Sequence, residues 1–211
     1  MACACAALSL SLSGHAEACG NGSSEGHLRG PSGSLFAGED ELIAELKLAE
    51  EALRTSNYSL AAAQLDRFRR MGEGSDGLRS RYARVAALVT VRTGGQWPLK
   101  RAGKLNREED RSKALSKALL ALRKRVSDAP KDPVRQSDLG EGLSSLPAHH
   151  KEARNILEAL AKADLLTSAH AYDALARLRT KAGDESGAQV ARTRCKELDA
   201  SEHACRDAPK A

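Results

Sequence analysis

The sequence predicts an all-α fold of about eight helices arranged as four antiparallel hairpins. One spaced pattern occurs twice: Leu48-Ala49 is followed by Ala61, and Leu175-Ala176 by Ala188, with the second small residue twelve positions after the first in both copies. Small residues at this spacing let two helices joined by a tight turn approach closely. Aromatic residues make up only 3% of the chain, so many small aliphatic contacts between helices are expected rather than a β-sandwich or barrel.

Residues 1–18 are predicted to be a signal peptide. A short apolar run is followed by Ala16-Glu17-Ala18, the small-residue pattern at which signal peptidase cuts, so cleavage is expected before Cys19. The predicted location is exported, either periplasmic or extracellular, with lipidation of Cys19 as a variant. A disordered N-terminus on a cytoplasmic protein is the alternative. No apolar stretch reaches the length of about 18 residues that a membrane span needs.

The remaining chain divides into three predicted segments. Residues 19–37 are rich in Gly and Ser and are expected to form a flexible linker. Residues 38–199 are predicted to form the helical domain, and residues 200–211 a polar tail. Cys195 on the last helix and Cys205 in the tail could form a disulfide in an oxidising compartment, or they could be two unrelated thiols.

Helical periodicity and start signals define the elements of the first half. Apolar residues at helical spacing predict a first helix over 39–54, and Asn57 can cap a second helix that runs to about Met71. A third helix is expected over 78–92, before the Thr93-Gly94-Gly95 stop. The segment 94–105 is too irregular for a minimal turn and is predicted to be a surface excursion whose Trp97 folds back on the domain.

The second half contains five further predicted helices. Asp132-Pro133 is a start signal, because the Asp can cap the helix and the Pro occupies the first helical position. Pro147 is predicted to open the next helix, and Asp184 to begin the last. The expected ranges are 107–126, 133 to about 146, 147 to about 163, about 168–181 and 184–198. The helix over 107–126 is expected to pair with the helix over 78–92.

Two motifs resemble tetratricopeptide repeats. They are Leu48-Ala49-x8-Tyr58-x2-Ala61 and Tyr172-x2-Leu175-Ala176-x6-Gly183-Asp184-x3-Ala188. The resemblance implies a short solenoid of stacked hairpins, with a closed bundle as the main competitor. It also implies a scaffold that binds peptides or other domains in a concave groove. The residues it places at helix crossings are Leu48, Ala49, Tyr58, Ala61, Tyr172, Leu175, Ala176 and Ala188.

A basic segment over residues 100–125 supports an alternative function. The chain carries 33 Lys and Arg residues against 28 Asp and Glu, a net charge of +5, and many of the basic residues lie in this segment. Such a surface could bind an acidic polymer, lipid headgroups or nucleic acid. The simpler interpretation is a solvated helix face. The candidate binding residues are Trp97, as an apolar anchor, and Arg107, Arg111, Lys124 and Arg125.

Nothing specific predicts catalysis, a metal or a cofactor. The sequence contains no phosphate-binding loop, dinucleotide fingerprint or nucleophile elbow. The adjacent His149 and His150 point to different faces of a helix, and no zinc motif accompanies them. The prediction is therefore a non-enzymatic protein-protein interaction module with a protein or peptide partner.

Overall fold

The computed structural model describes residues 38–72, 74–99, 107–199 and 204–205. Within these ranges there are eight helices of 11 to 21 residues and no strand, which confirms the all-α class. The predicted signal peptide (1–18), the linker (19–37) with Cys19, and most of the tail lie outside the described residues. Residues 100–106 of the basic segment do as well.

The helix bounds follow the predicted elements closely. The helices are α1 (Glu39–Arg54), α2 (Tyr58–Met71), α3 (Asp76–Arg92), the single turn α4 (Gln96–Leu99), α5 (Glu108–Asp128), α6 (Pro133–Leu143), α7 (His150–Lys162), α8 (Ala169–Lys181) and α9 (Glu185–Leu198). The main difference is at Pro147, which opens a 3-10 turn over Pro147–His149 rather than α7 itself. Leu146 before it is extended, as expected for a residue that precedes proline.

Side-chain caps start three of the helices. The Asn57 side chain accepts a hydrogen bond from the Leu60 backbone N–H at 3.1 Å. Asp132 accepts from two backbone N–H groups at the start of α6, and Asp184 accepts from the Gly187 N–H at 2.9 Å. These bonds satisfy donors that a helix leaves unpaired at its first turn. The predicted start signals at Asn57, Asp132 and Asp184 are therefore confirmed.

The turns of the first and last hairpins have the same backbone geometry. Ser56 and Gly183 each lie seven residues after the small residue of the repeated pattern, and both have positive φ, 57° and 81°. In each turn the next N–H donates to a carbonyl five residues earlier, Asn57 to Ala52 and Asp184 to Arg179. A left-handed residue with this bond ends a helix sharply. The sequence repeat is thus a repeat of local structure.

Each long helix pairs mainly with its neighbour in the chain. The hairpins are α1–α2, α3–α5, α6–α7 and α8–α9. The first helices of successive hairpins also contact one another, and the second helix of each hairpin packs on the first helix of the next. Most contacts between helices therefore run from one hairpin to the next along the chain, as expected of stacked hairpins.

Helix α3 belongs to both hydrophobic cores. One cluster combines α1 and α2 with Val85, Leu88 and Val89 of α3, and the other combines the helices after α4 with Ala87 and Val91. An isolated amphipathic helix would present one apolar face, whereas α3 is apolar on opposite sides in its second half. Helix α3 therefore joins the two halves of the domain.

The small residues of the repeated pattern are buried, but one larger residue is misassigned. Ala49, Ala61, Ala176 and Ala188 are inaccessible to solvent or nearly so. Leu175 and Tyr172 are buried too, and the half-buried Tyr58 ring lies 6.1 Å from that of His170.

The assignment of Leu48 to a helix crossing is wrong, because its side chain is 50% exposed. Consecutive helical residues point about 100° apart, so Leu48 and Ala49 cannot both face α2. The equivalent Leu175 is buried because α8 packs against α6 and α7 as well as against α9. Within the described residues no hairpin precedes α1, so none there covers Leu48 in the same way.

A disulfide joins Cys195 of α9 to Cys205, with the two Cα atoms 5.8 Å apart. Cys195 is fully buried, and Ala204 and Cys205 are also largely inaccessible to solvent. The two described tail residues thus form part of the C-terminal core. Among the described residues, no helix is long and apolar enough to cross a membrane.

Candidate functional groove

The first helices of all four hairpins line one open cavity of about 580 Å³. Glu50 of α1, Arg84 of α3, Asp138 of α6 and His170 of α8 all face it. The end of α9 and Ala204 complete the wall. We call this cavity the groove. Its volume lies within the range of about 300–1,000 Å³ that is typical of ligand pockets.

Two arginine–carboxylate pairs whose carboxylates are buried join the walls of the groove. Arg84 of α3 donates two hydrogen bonds to Asp138 of α6, at 2.6 and 3.1 Å. Arg92 donates two to Glu141, at 2.7 and 3.0 Å. Both pairs are bidentate, the geometry in which a guanidinium binds a carboxylate most strongly. The two pairs join α3 to α6 at two positions along the helices.

Arg92 has a third contact, to α1. Its Nη1 donates to the backbone carbonyl of Leu53 at 3.2 Å, a carbonyl near the end of that helix that also accepts the Ser56 N–H. One guanidinium therefore links the first helices of the first three hairpins. The relative positions of α1, α3 and α6, and with them the width of the groove, depend on this side chain.

The two carboxyl groups differ in their electrostatic surroundings. Burial raises the pKa of Asp138, against the opposing effect of its hydrogen bonds with Arg84. Burial also opposes ionisation of Glu141, but the charge and hydrogen bonds of Arg92, with smaller effects of His170 and Arg177, together hold the pKa of Glu141 below its ordinary value. In each pair the positive charge of the arginine is balanced by its carboxylate, so the two pairs give the groove little net charge.

The groove also offers an unpaired hydroxyl and an apolar rim. Ser137 is only 2% exposed, and its Oγ has no hydrogen-bond partner among the described residues. Leu53 and Leu88 contribute buried aliphatic surface, while Val134 and Leu198 line the groove with large exposed side chains. A buried hydroxyl without a partner is unfavourable until a ligand or water satisfies it. The arrangement suits a ligand with both polar and aliphatic groups.

The basic residues predicted to bind do not line the groove. Arg111 pairs with Glu108, and Arg125 donates to the backbone carbonyl and the hydroxyl of Ser80 at 3.1 and 3.0 Å. Lys124 is exposed and lies 3.4 Å from Asp128. Arg107 is exposed at the N-cap of α5. Much of the positive charge on the described part of α5 is therefore balanced locally.

Trp97 packs against the N-terminal core, as predicted for a residue that folds back on the domain. It is half-buried, and its indole N–H is buried with no partner in the described part of the chain. Its backbone conformation is not helical, with φ −90° and ψ 129°. Because the ring is engaged by this core, it offers less apolar surface to a partner than a free anchor would.

Sequence patterns did not identify the groove residues. The available signal was a pair of arginines eight positions apart on the otherwise apolar second half of α3, and two acidic residues three apart on α6. Each set lies on one face of its helix, so the two sets can meet as pairs. That match became recognisable only once α3 and α6 were known to be neighbours.

No family model, no curated protein and no solved structure matches this chain. In the described ranges, no group of three His, Cys, Asp or Glu side chains could hold a metal ion.

Proposed function

We propose that this protein is a non-enzymatic protein-protein interaction module, a helical-hairpin scaffold of tetratricopeptide-like type that holds a segment of a partner polypeptide in the groove. The observation that carries the proposal is that the first helices of all four hairpins line one open cavity. A stack of hairpins buries one face of each helix pair and leaves the inner faces of its first helices available for a ligand.

The chemistry of the groove favours an uncharged stretch of polypeptide. Arg84 and Arg92 donate their strongest hydrogen bonds to carboxylates of this chain, so neither guanidinium presents an isolated charge to a ligand. An aliphatic side chain of the ligand could cover Val134 and Leu198, which are exposed on the rim of the groove. Burying such aliphatic surface contributes about 25 cal/mol per Å².

The test is selection of peptides from a random displayed library on the folded domain, followed by affinity measurement on two variants. Leu198→Glu places a charge in the groove, and Leu120→Glu makes the same change on an exposed position of α5 away from it. Both side chains are more than half exposed, at 51% and 66%, so neither change should unfold the domain.

We expect the selected peptides to lose about tenfold or more in affinity for Leu198→Glu and to bind Leu120→Glu unchanged, because a carboxylate that faces an aliphatic group of the peptide must lose part of its hydration. Equal binding to both variants, or selection of no peptide at all, would contradict the proposal.

The alternative, a basic adaptor for anionic surfaces through residues 100–125, has weaker support. Arg111, Lys113, Arg123 and Arg125 make ion pairs or hydrogen bonds within the chain. If it were correct, binding to heparin or to anionic vesicles would fall steeply between low and physiological salt. Peptide binding in the groove would depend only weakly on salt.

We also propose that the protein is exported. The predicted cleavage site before Cys19 and the Cys195–Cys205 disulfide both support this, because disulfides persist mainly in oxidising compartments. Intact mass and N-terminal sequencing of protein from its native host test the proposal. A mature chain starting at Cys19, with or without lipid, would support export, and an unprocessed chain in the cytosol would overturn it.

A further inference from the structure

The basic residues on the described part of α5 differ in what balances their charge. Most of them lie against a carboxylate of the chain: Arg111, Lys113, Arg123 and Lys124. Arg125 instead donates its Nη1 to neutral groups, the backbone carbonyl and the hydroxyl of Ser80 on α3, at 3.1 and 3.0 Å. Among the described residues, no carboxylate pairs with Arg125 and no acceptor bonds its Nη2. Its positive charge is therefore not balanced by direct contact.

Two other arginines lie close to Arg125, and each already has a carboxylate. Arg135 of α6 donates to the backbone carbonyl of Arg125 at 2.8 Å, and its Nε lies 3.2 Å from Asp132. Arg84 of α3 binds Asp138. Burial lowers the pKa of Arg125, and the positive charges of Arg84 and Arg135 add to this effect against the opposing effect of the two carboxylates. Three guanidinium groups thus share two carboxylates, which leaves one positive charge.

This group of arginines lies at the edge of the groove. Ser80 is one helical turn before Arg84, which lines the groove, so about 6 Å separates the two along the axis of α3. On α6, Arg135 is next to Val134, whose exposed side chain also lines the groove. Arg125 is hydrogen-bonded to both Ser80 and Arg135. The unbalanced charge is therefore close to the aliphatic rim that a ligand in the groove would cover.

We propose that Arg125 binds an acidic side chain of the partner polypeptide, beside the aliphatic residue that covers Val134. The Nη2 atom, which is unbonded within the described residues and is not buried, can donate to a carboxylate without disturbing the bonds to Ser80. Such a charged hydrogen bond is about twice as strong as a neutral one. The single excess charge matches one carboxylate, whereas a phosphate group carries about −1.5 to −2 charges at neutral pH. The identity of the ligand rests on the proposed function, but the affinity of Arg125 for a carboxylate does not.

The first experiment tests this site without a peptide. The full chain, isotopically labelled for NMR, is titrated with sodium acetate, with sodium phosphate and, as the reference, with sodium chloride at the same ionic strength. We expect acetate to shift the amide signals of Ser80, Arg125 and Arg135 saturably and to leave those of residues 186–194 on α9 unchanged. Phosphate should bind no more tightly than acetate. The absence of an acetate-specific shift, or phosphate binding tighter by about tenfold or more, would overturn the proposal.

Two matched variants assign the shifts to Arg125. Arg125→Gln removes the unbalanced charge, and Arg123→Gln makes the same substitution two residues earlier, where Glu152 balances the arginine. Arg125→Gln leaves Arg84 and Arg135 with their carboxylates, so it creates no unpaired buried charge and should fold. The acetate shifts should disappear in Arg125→Gln and persist in Arg123→Gln. Loss in both variants would mean that acetate responds to the general charge of α5, and retention in both that another group binds it, and either result contradicts the proposal.

The second experiment uses the peptides selected as described above, in which we expect an acidic residue to be enriched next to an aliphatic one. Replacing that acidic residue by its amide should lower affinity about tenfold for the wild type and for Arg123→Gln, but less than about twofold for Arg125→Gln. An equal loss for all three proteins, or no acidic enrichment, would show that the proposal is wrong. If no peptide can be selected, the proposed function fails, and the acetate titration still decides whether Arg125 binds a carboxylate.

Discussion

The Nε2 atom of His170 lies 3.3 Å from the Tyr58 hydroxyl and 3.2 Å from that of Ser56. His170 is in the first turn of α8, Ser56 is in the turn between α1 and α2, and Tyr58 is the first residue of α2. The last hairpin of the stack therefore contacts the first. This contact limits how far the groove between them can open.

Removing the Tyr58 hydroxyl should loosen this contact. Tyr58→Phe keeps the ring against His170 but loses the hydrogen bond, so we expect the free energy of unfolding to fall by about 1 kcal/mol. Hydrogen exchange at residues 55–58 should also become faster. Tyr82→Phe is the control, because its hydroxyl has no hydrogen-bond partner among the described residues. Equal stability of the two variants would show that the contact adds nothing.

Breaking the Arg92–Glu141 pair should cost far more than breaking an exposed pair. Both side chains are at most 10% exposed, so Glu141→Gln leaves Arg92 charged, buried and without its carboxylate. We expect a loss of about 3–5 kcal/mol at neutral pH. Glu152→Gln breaks the surface pair with Arg123 by the same substitution and should cost about 1 kcal/mol or less. Urea titrations measure both, and similar losses would contradict the assignment.

The cost of Glu141→Gln should depend on pH. Because the pKa of Glu141 in the folded protein lies below its ordinary value of 4.5, the ionised carboxylate stabilises the fold above that pH. This contribution is lost as the pH falls from 4.5 through the folded pKa. The difference in unfolding free energy between wild type and variant should therefore shrink over that window. A difference that stays constant, or grows, would mean that the folded pKa is not lowered.

Glycine is required at position 140 of α6, where the helix packs against side chains of α7. A Cβ atom built on Gly140 would lie 2.7 Å from Cδ2 and 2.8 Å from Cγ of the buried Leu157. Gly140→Ala should destabilise the domain by about 1–3 kcal/mol through overpacking. Gly77→Ala on α3 meets no atom within 4 Å and should stabilise the helix by up to about 1 kcal/mol. Thermal or urea unfolding distinguishes the opposite signs.

The buried small residue of the last hairpin should not accept a charge. Ala188→Glu would bury a carboxylate against α8 and should reduce stability by about 3 kcal/mol or more. Val190→Glu, two residues along the same helix, changes a position that is mainly exposed and should have little effect. An unchanged melting temperature for Ala188→Glu would defeat the assignment of this residue to the helix crossing.

Local signals in the sequence were sufficient for the helices and their pairing. Asn57, Asp132 and Asp184 act through bonds to residues two or three positions away, and the turns at Ser56 and Gly183 close within five residues. Interactions at so short a range are encoded in neighbouring residues and can be recognised without knowing the fold. The helical class, the starts of three helices and the two matching hairpins could therefore be predicted.

The groove was decided by contacts between residues far apart in the chain. Arg84 and Asp138 are 54 positions apart, and Arg92 and Glu141 are 49 apart. No local pattern specifies which arginine meets which carboxylate, because that depends on how successive hairpins stack. For the same reason Leu48 was misplaced, since its exposure depends on which helices pack around α1 in the described part of the chain. The sequence by itself determined the hairpins, and only the tertiary structure decided which of their faces became core and which became groove.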